Sequence, residues 1–212
     1  MGKRRSVRDN INYEVDAMST VPKTCLTAAD YLRLERAAEG KSEFYRGEMF
    51  AMAGASREHN LIVGNLVTSL NLQLRDRDCQ VYPSDMRVKV SPTGLYTYPD
   101  VSVACENPEF EDNQGDTLLN PQVLVEILSD STEAYDRGPK FEQYRQLASL
   151  HDYLLIAQDR FHVEHFELQS SGSWLLREYK LPTDVVHLAS VNCRIPLSDI
   201  YLKVTFPVSE QV

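Results

Sequence analysis

The chain has 212 residues, the length of one domain, and with 42% hydrophobic and 25% charged residues it has the composition of an ordinary globular protein. This composition excludes a chain that is disordered throughout. The net charge of −9 counts against nucleic-acid binding by overall charge, although it leaves room for a local basic groove.

The N-terminal segment 1–24 carries a basic cluster and no hydrophobic periodicity, which predicts a flexible extension. Met18 is an alternative start of the chain. No apolar run approaches the roughly 18 to 20 residues of a membrane span, and no apolar stretch follows the N-terminal charges as in a signal peptide. We therefore expect a soluble cytoplasmic protein that does not contact a membrane.

The next segments predict a helix, a hairpin and a second helix. Thr27 and Asp30 have the spacing of a helix start, with Tyr31, Leu32 and Leu34 expected to be buried. Residues 42–53 predict a hairpin that turns at 46–47, since strand-forming residues flank a glycine there. Apolar residues at helical spacing then predict a long helix over about 56–77.

The remaining pattern alternates strands with one helix. Strands are predicted near 79–90, 96–105, 122–128, 152–158, 161–169, 174–180 and 185–193, with a helix near 133–148. This order predicts an α/β fold in which a central mixed β-sheet is flanked by helices. We expect one domain over 25–205, followed by a short tail at 206–212.

Two carboxylates, Asp100 and Glu126, each lie in a short apolar run that predicts a buried strand. Burying an unpaired carboxylate costs several kcal/mol, so such residues usually have a cation, a hydrogen-bond network or a catalytic task. Pro99 marks the start of the first strand, which places Asp100 at the beginning of that strand. If the two strands are neighbours, both carboxylates can bind one cation. The alternative is that each forms a buried salt bridge with an arginine.

Lys140 follows in a predicted helix, 14 positions after Glu126. Two carboxylates and a lysine form the set that a metal-dependent hydrolase needs, because the carboxylates hold a hard cation and the lysine positions or activates water.

Four further residues are candidates for the same site, each with an alternative. Glu43 could supply a third carboxylate through a metal-bound water, or be a solvated charge on the hairpin. His59, in the first turn of the long helix, could contact a phosphate or the metal shell, or be a surface residue. Arg87 lies on a polar strand face that either meets solvent or binds phosphate. Tyr144, one helical turn after Lys140, could bind a phosphate oxygen or simply pack.

The histidines, cysteines and glycines of the chain do not indicate a further catalytic or metal site. His162 and His165 fall on opposite faces of a strand, so neither is assigned as a metal ligand. The four cysteines are dispersed without a C-x-x-C pair, which predicts reduced and mostly buried thiols. A phosphate-binding glycine-rich loop, a G-x-S-x-G elbow and zinc-finger spacing are all absent from the sequence.

The set of Pro99-Asp100, Glu126 and Lys140 resembles the PD-(D/E)XK superfamily of restriction-endonuclease-like nucleases. An ordered series of motifs from about residue 26 to 203 resembles, more closely, the Uma-two family of predicted endonucleases. The motifs are EFYRGE at 43–48, MAGAS at 52–56, His59-Asn60, SDMRV at 84–88, YPDV at 98–101, VEILS at 125–129, STEAYD at 131–136 and Lys140-Phe141. One departure from the superfamily pattern is Leu128, which stands where a lysine is expected; Lys140 is the position that matches within the Uma-two resemblance.

This resemblance implies a restriction-endonuclease-like fold and a site for Mg²⁺ or Mn²⁺. Asp100, Glu126 and the backbone carbonyl of Ile127 would bind the cation, Lys140 would position or activate water, and Glu43 would act from the outer shell. The implied reaction is hydrolysis of phosphodiester bonds in nucleic acid, with DNA as the expected substrate. The alternative is a catalytically inactive module that keeps the nuclease fold and binds nucleic acid or protein.

Aromatic residues in the C-terminal strands predict a further property. Phe161, Phe166, Trp174 and Tyr179 exceed what one small sheet obviously needs to bury, so we expect a homodimer.

Overall fold

The computed structural model describes residues 25–206, so the predicted extension 1–24, with Met18, and positions 207–212 of the predicted tail lie outside the described residues. The helices are α1 (Ala28–Glu35), α2 (Arg57–Leu74), α3 (Glu133–Tyr135), a π-helix (Asp136–Lys140), α4 (Phe141–Tyr144) and α5 (Leu197–Ile200). The strands are β1 (Ser42–Tyr45), β2 (Glu48–Ala51), β3 (Cys79–Pro83), β4 (Arg87–Val90), β5 (Leu95–Thr97), β6 (Val101–Cys105), β7 (Thr117–Leu118), β8 (Val123–Leu128), β9 (Asp152–Ala157), β10 (Val163–Leu168), β11 (Trp174–Tyr179), β12 (Val185–Leu188) and β13 (Cys193–Pro196).

The strands form two mixed sheets and a small antiparallel pair, which confirms the predicted α/β class. The five-stranded sheet has the order β2-β1-β5-β4-β7, and the six-stranded sheet has the order β11-β10-β9-β8-β6-β3. Strands β8 and β9 are parallel, as are β4 and β7, while the other pairs are antiparallel.

Two predicted strands are wrong in extent, because the chain changes sheet in the middle of each. The run 79–90 divides into β3 and β4, and the run 96–105 divides into β5 and β6, with each half in a different sheet. A proline lies at both breaks, Pro83 and Pro99, and proline cannot donate a ladder hydrogen bond. This crossing places β5 beside β1 and β6 beside β8, so that residues of both sheets meet.

The predicted N-terminal helix and hairpin are present, with one difference. The Thr27 side chain accepts a hydrogen bond from the Asp30 backbone, and the Asp30 side chain returns one, forming a capping box. Leu34 is 38% exposed rather than buried, because the buried stripe of α1 runs through Tyr31, Leu32 and Glu35. Arg46 and Gly47 both have positive φ, at 49° and 84°, as a two-residue hairpin turn requires.

The central strands β6, β8 and β9 of the six-stranded sheet are buried on both faces. On one face the sheet meets α2, which buries Ile62, Leu66, Leu70 and Leu74. Its other face meets the five-stranded sheet and α4 in a second apolar cluster, to which Leu128 belongs. Burial of each such leucine or isoleucine stabilises the fold by about 1.5 to 3 kcal/mol. Phe141 and Tyr144 of α4 therefore pack in the cluster that joins the two large sheets.

The aromatic residues from which a homodimer was predicted pack within the chain. Phe166 and Trp174 contact Phe141, while Phe161 contacts Tyr201 and Phe206. Tyr179 packs against the apolar cluster around α2. The homodimer stays a prediction, but these aromatic contacts no longer support it.

The prediction of four reduced thiols is wrong for one pair. Cys79 and Cys105 form a disulfide, while Cys25 and Cys193 are free. The two bonded residues are direct partners in the β3–β6 register. Their separation of 26 positions in sequence gives no sign of this contact, which only the pairing of the strands creates.

Within residues 25–206, none of the helices combines the length and apolar character that a bilayer crossing would demand.

Candidate active site

Asp100 and Glu126 lie on neighbouring strands, as the sequence interpretation required. Strands β6 and β8 pair with Val101 opposite Val125, so Asp100, one residue before β6, lies beside the segment that carries Glu126. The backbone N–H of Ile127 donates a hydrogen bond of 2.7 Å to Asp100 Oδ2. Coordination of a cation by these carboxylates and by the Ile127 carbonyl stays a prediction.

Lys140 is buried among three carboxylates. Its Nζ lies 2.9 Å from Glu126 Oε1, 3.2 Å from Glu43 Oε1 and 3.4 Å from Asp136 Oδ1. Only 4% of the residue is exposed, so Lys140 is not a surface lysine. We call Lys140, Glu43, Glu126 and Asp136, together with the adjacent Asp100, the lysine cluster.

The π-helix explains how a lysine so far along the chain reaches Glu126. The predicted helix 133–148 is instead three short segments, with the π-turn Asp136–Lys140 in the middle and the last segment ending at Tyr144. Pro139 lies inside the π-helix and has no N–H to continue a regular helical ladder. The wider turn directs Asp136 and Lys140 together into the protein, and such turns are frequent at functional sites.

Glu43 reaches the cluster from the other sheet. It is 9% exposed and accepts a short hydrogen bond from the Thr97 hydroxyl of β5, so the alternative of a solvated hairpin charge is wrong. The pairing of Phe44 with Tyr96 sets this contact, because it brings Glu43 next to Thr97.

Tyr144 contacts Glu126 from α4. The side chain is fully buried, and its hydroxyl donates a hydrogen bond of 2.7 Å to Glu126 Oε1. Tyr144 and Lys140 therefore hold the same oxygen of Glu126. Both contacts involve Oε1 rather than the other oxygen, Oε2.

His59 lies beside Asp100. The N–H of His59 donates to the side chain of Ser56, the N-cap of α2, which fixes the first turn of the helix. The imidazole Nε2 is 2.9 Å from Asp100 Oδ1, while Nδ1 is buried and has no partner in the described part of the chain. With 15% of its side chain exposed, His59 is not a free surface residue.

Arg87 is not brought to the lysine cluster. Alternation along β4 places it on the opposite face of the five-stranded sheet, above the Tyr31 ring of α1 at 5.6 Å. The guanidinium donates to Thr117 and to the Tyr98 hydroxyl and lies 3.0 Å from Asp116. It is 2% exposed, so the expected solvent-facing strand surface is wrong here. Phosphate binding by Arg87 stays a prediction that this location does not favour.

A second set of charged residues surrounds Arg87, and we call it the arginine cluster. Its members are Arg36, Arg87, Asp112 and Asp116. Arg36 Nε lies 2.7 Å from Asp116 Oδ2, and Arg36 Nη2 lies 2.8 Å from Asp112 Oδ2. Two guanidinium groups thus face two carboxylates. The hydrogen bond from Arg36 lowers the pKa of Asp116 below its ordinary value.

Two acids of the lysine cluster have their pKa values shifted in the opposite direction. Burial raises the pKa of Glu126 well above its usual range, despite the attraction of Lys140. Burial likewise raises the pKa of Asp136. For Lys140, burial favours the neutral form, but the attraction of Glu126, Glu43 and Asp136 outweighs it and raises the pKa. Lys140 is therefore an ammonium ion at neutral pH.

The donor set fits a hard divalent cation. Four carboxylates, Glu43, Asp100, Glu126 and Asp136, face one lysine and one histidine, so the cluster has excess negative charge in a buried place. Carboxylate and carbonyl oxygens are the ligands that Mg²⁺ prefers. Bound there, the cation would polarise a phosphate oxygen and supply the hydroxide that attacks it.

Sequence reasoning missed two residues of this cluster. Asp136 belongs to the quoted STEAYD motif but had no assigned role, although its position four residues before Lys140 was a usable signal. Thr97 carried no signal, since only the contact between β1 and β5 brings it to Glu43.

The two histidines of the C-terminal strands do lie on opposite faces, as predicted. His165 Nε2 is 2.6 Å from the buried Asp152, whereas His162 Nε2 is 2.9 Å from Glu178. Potential ligand atoms of His162, Glu164 and Glu178 lie within 4.8 Å of one another. Arg137 and Lys180 already pair with the two glutamates, so this group is accounted for as an ion-pair network.

The fold agrees with the resemblance to restriction-endonuclease-like nucleases, and within it Lys140 contacts Glu126 beside Asp100. Residues 28–197 match the Uma2 family, whose description is "Putative restriction endonuclease", and the chain belongs to this family. A "putative nuclease belonging to DUF820" from Anabaena variabilis has a similar fold, with a TM-score of 0.68 and 18% identity, over 83% of this chain and 97% of that one.

Two relatives come from Synechocystis sp. The protein sll1609 is 42% identical over 153 residues, 72% of this chain and 86% of its own length. The protein slr1290 is 34% identical over 187 residues, 88% of this chain and 97% of its own length. Both carry the description "Uncharacterized protein", so they extend the similarity without adding an activity.

Proposed function

We propose that this protein is a metal-dependent endonuclease that hydrolyses phosphodiester bonds of DNA. The observation that carries the proposal is the convergence of Asp100, Glu126 and Lys140, because it joins excess buried negative charge to a fixed ammonium group. Membership of a family described as restriction endonucleases supports the same conclusion.

Each residue of the site has a distinct role in this proposal. Asp100 and Glu126 bind Mg²⁺ or Mn²⁺ together with the Ile127 carbonyl, and His59 holds Asp100 in place through its 2.9 Å contact. Lys140, as an ammonium ion, orients the attacking water and stabilises negative charge that develops on the phosphate. Glu43 and Asp136 keep Lys140 charged and fix its direction.

The first experiment separates cation binding from catalysis. Isothermal titration with Mn²⁺ is performed on the wild type, Asp100→Asn and Glu126→Gln, with His165→Gln as a control for a buried residue outside the site. We expect one site in the wild type and the control and none in the two acid variants. A wild type without affinity for Mn²⁺ and Mg²⁺ would overturn the proposal.

The second experiment tests the reaction. DNA and RNA, each single- and double-stranded, are incubated with wild type and Glu126→Gln in Mg²⁺. Cleavage of DNA by the wild type alone is the expected result. Cation binding without cleavage of any of these substrates would favour the inactive module instead, and cleavage of RNA alone would contradict the choice of DNA.

A further inference from the structure

The two oxygens of Glu126 have different surroundings. Oε1 accepts the 2.7 Å hydrogen bond from Tyr144 and lies 2.9 Å from Lys140 Nζ. Oε2 takes part in neither of these contacts. A carboxylate held at one oxygen in this way offers only the other oxygen to a ligand.

Tyr144 is rigidly placed for this contact. Its ring is fully buried and meets the Tyr153 ring edge-on, with centroids 5.3 Å apart. It lies in α4, one helical turn after Lys140, so both groups that hold Oε1 come from one continuous helical segment. Without the hydroxyl, the carboxylate could turn more freely, because the last torsion of glutamate is broad and roughly two-fold.

The number of oxygens that a carboxylate supplies affects which cation binds. Mg²⁺ demands near-ideal octahedral geometry at about 2.0 to 2.1 Å, whereas Ca²⁺ accepts six to eight ligands and often binds both oxygens of one carboxylate. A carboxylate restricted to one oxygen therefore favours Mg²⁺ over Ca²⁺.

We propose that Tyr144 is a positioning residue that restricts Glu126 to one-oxygen coordination and thereby sets the preference of the site for Mg²⁺ over Ca²⁺. This inference rests on the proposed function, since it needs a cation at Glu126. It differs from the role predicted from the sequence, in which Tyr144 binds a phosphate oxygen of the substrate.

The test compares two buried tyrosines that contact each other. Tyr144→Phe removes the hydroxyl bonded to Glu126, while the control, Tyr153→Phe, removes a hydroxyl that donates a 3.0 Å hydrogen bond to the Asp136 backbone carbonyl. Affinities for Mg²⁺ and Ca²⁺ are measured by calorimetry, without substrate, and thermal unfolding reports any loss of stability.

We expect Tyr144→Phe to lower the ratio of Mg²⁺ to Ca²⁺ affinity by about 10-fold or more, the lower end of the range for residues that support a metal ligand. Tyr153→Phe should leave the ratio unchanged even if both variants lose similar stability. An unchanged ratio in Tyr144→Phe, or an equal fall in Tyr153→Phe, would overturn the inference while leaving the proposed function intact. A wild type that binds neither cation would overturn both.

A second measurement does not depend on folding of the variant. In a wild-type crystal soaked with Mn²⁺, anomalous diffraction should place the cation within bonding distance of Glu126 Oε2 but not of Glu126 Oε1, with Tyr144 still donating to Oε1. Coordination through both oxygens would overturn the inference.

Discussion

The protein has two clusters of charge on opposite faces of its five-stranded sheet. The lysine cluster is largely buried, whereas only Arg87 of the arginine cluster is buried, and the two clusters differ in their balance of charge. In the arginine cluster, Arg36 and Arg87 face two aspartates, and the hydrogen bond from Arg36 lowers the pKa of Asp116. In the lysine cluster, one ammonium faces three carboxylates, and burial raises the pKa of Glu126. The arginine cluster has as many guanidinium groups as aspartates, whereas in the lysine cluster the carboxylates outnumber the ammonium, so the second cluster needs a further cation or bound protons.

From this difference we expect that buried charge by itself does not mark a functional site. Arg87 is as buried as any residue of the lysine cluster, yet its side chain contacts Thr117, Tyr98 and the Tyr31 ring rather than an excess of carboxylates. Carboxylates whose pKa is raised have interactions that the protein alone does not satisfy, and such groups concentrate at functional sites. The three predictions below test this distinction.

The largest expected effect is on reaction rate. We expect Lys140→Met to reduce DNA cleavage by about 10² to 10⁴, the usual contribution of a group that assists proton transfer or positions water. The control, Lys89→Met, removes a lysine that pairs with Glu111 on the opposite face, and it should cleave normally. The comparison is made per folded molecule at saturating Mg²⁺. Equal rates for wild type and Lys140→Met would remove Lys140 from the mechanism.

The second prediction concerns stability without divalent cations. Arg87→Met leaves Asp116 without one of its partners, and breaking such a pair costs about 3 kcal/mol, the low end of the range because Asp116 is partly exposed. At pH 5, just above the ordinary pKa of a glutamate, Glu126→Gln removes one excess carboxylate from the lysine cluster and should change the free energy of unfolding by less than about 1 kcal/mol. Urea denaturation in EDTA measures both. A similar loss in the two variants would contradict the distinction between the clusters.

The smallest effect is the dependence of stability on pH. Because the folded-state pKa of Glu126 is raised, the folded protein binds more protons than the unfolded chain above about pH 4.5, so stability in EDTA falls as pH rises, by at most about 1.4 kcal/mol per pH unit for this group. Glu126→Gln should flatten this slope. The lowered pKa of Asp116 has the opposite effect: its stabilisation is present above about pH 4 and lost on acidification.

Urea denaturation in EDTA over a series of pH values, on the wild type, Glu126→Gln and Asp116→Asn, separates the effect of Glu126 above about pH 4.5 from that of Asp116 below about pH 4. Of these three proteins, only Asp116→Asn should show a smaller loss of stability below pH 4, since Asp112 and other acids with lowered pKa values contribute the rest. A slope between pH 5 and 7 that is undiminished in Glu126→Gln would show that Glu126 does not hold the excess proton, since the raised pKa of Asp136 alone should leave a smaller slope.

The sequence by itself determined the α/β class and the central pair of acids. An acidic residue within an apolar strand is costly to bury, so Asp100 and Glu126 could be recognised without knowing their partners. The capping box at Thr27 and the hairpin turn at Gly47 were also determined locally, because their geometry depends only on neighbours in the chain.

Only the tertiary structure decided which charges meet. The crossing between sheets brought Glu43 to Lys140, placed Arg87 on the far face and joined Cys79 to Cys105. These contacts depend on strand pairing between distant segments. Periodicity reports which face a residue occupies but not which partner lies opposite, so the balance of charge that separates the two clusters could not be obtained from the order of residues alone.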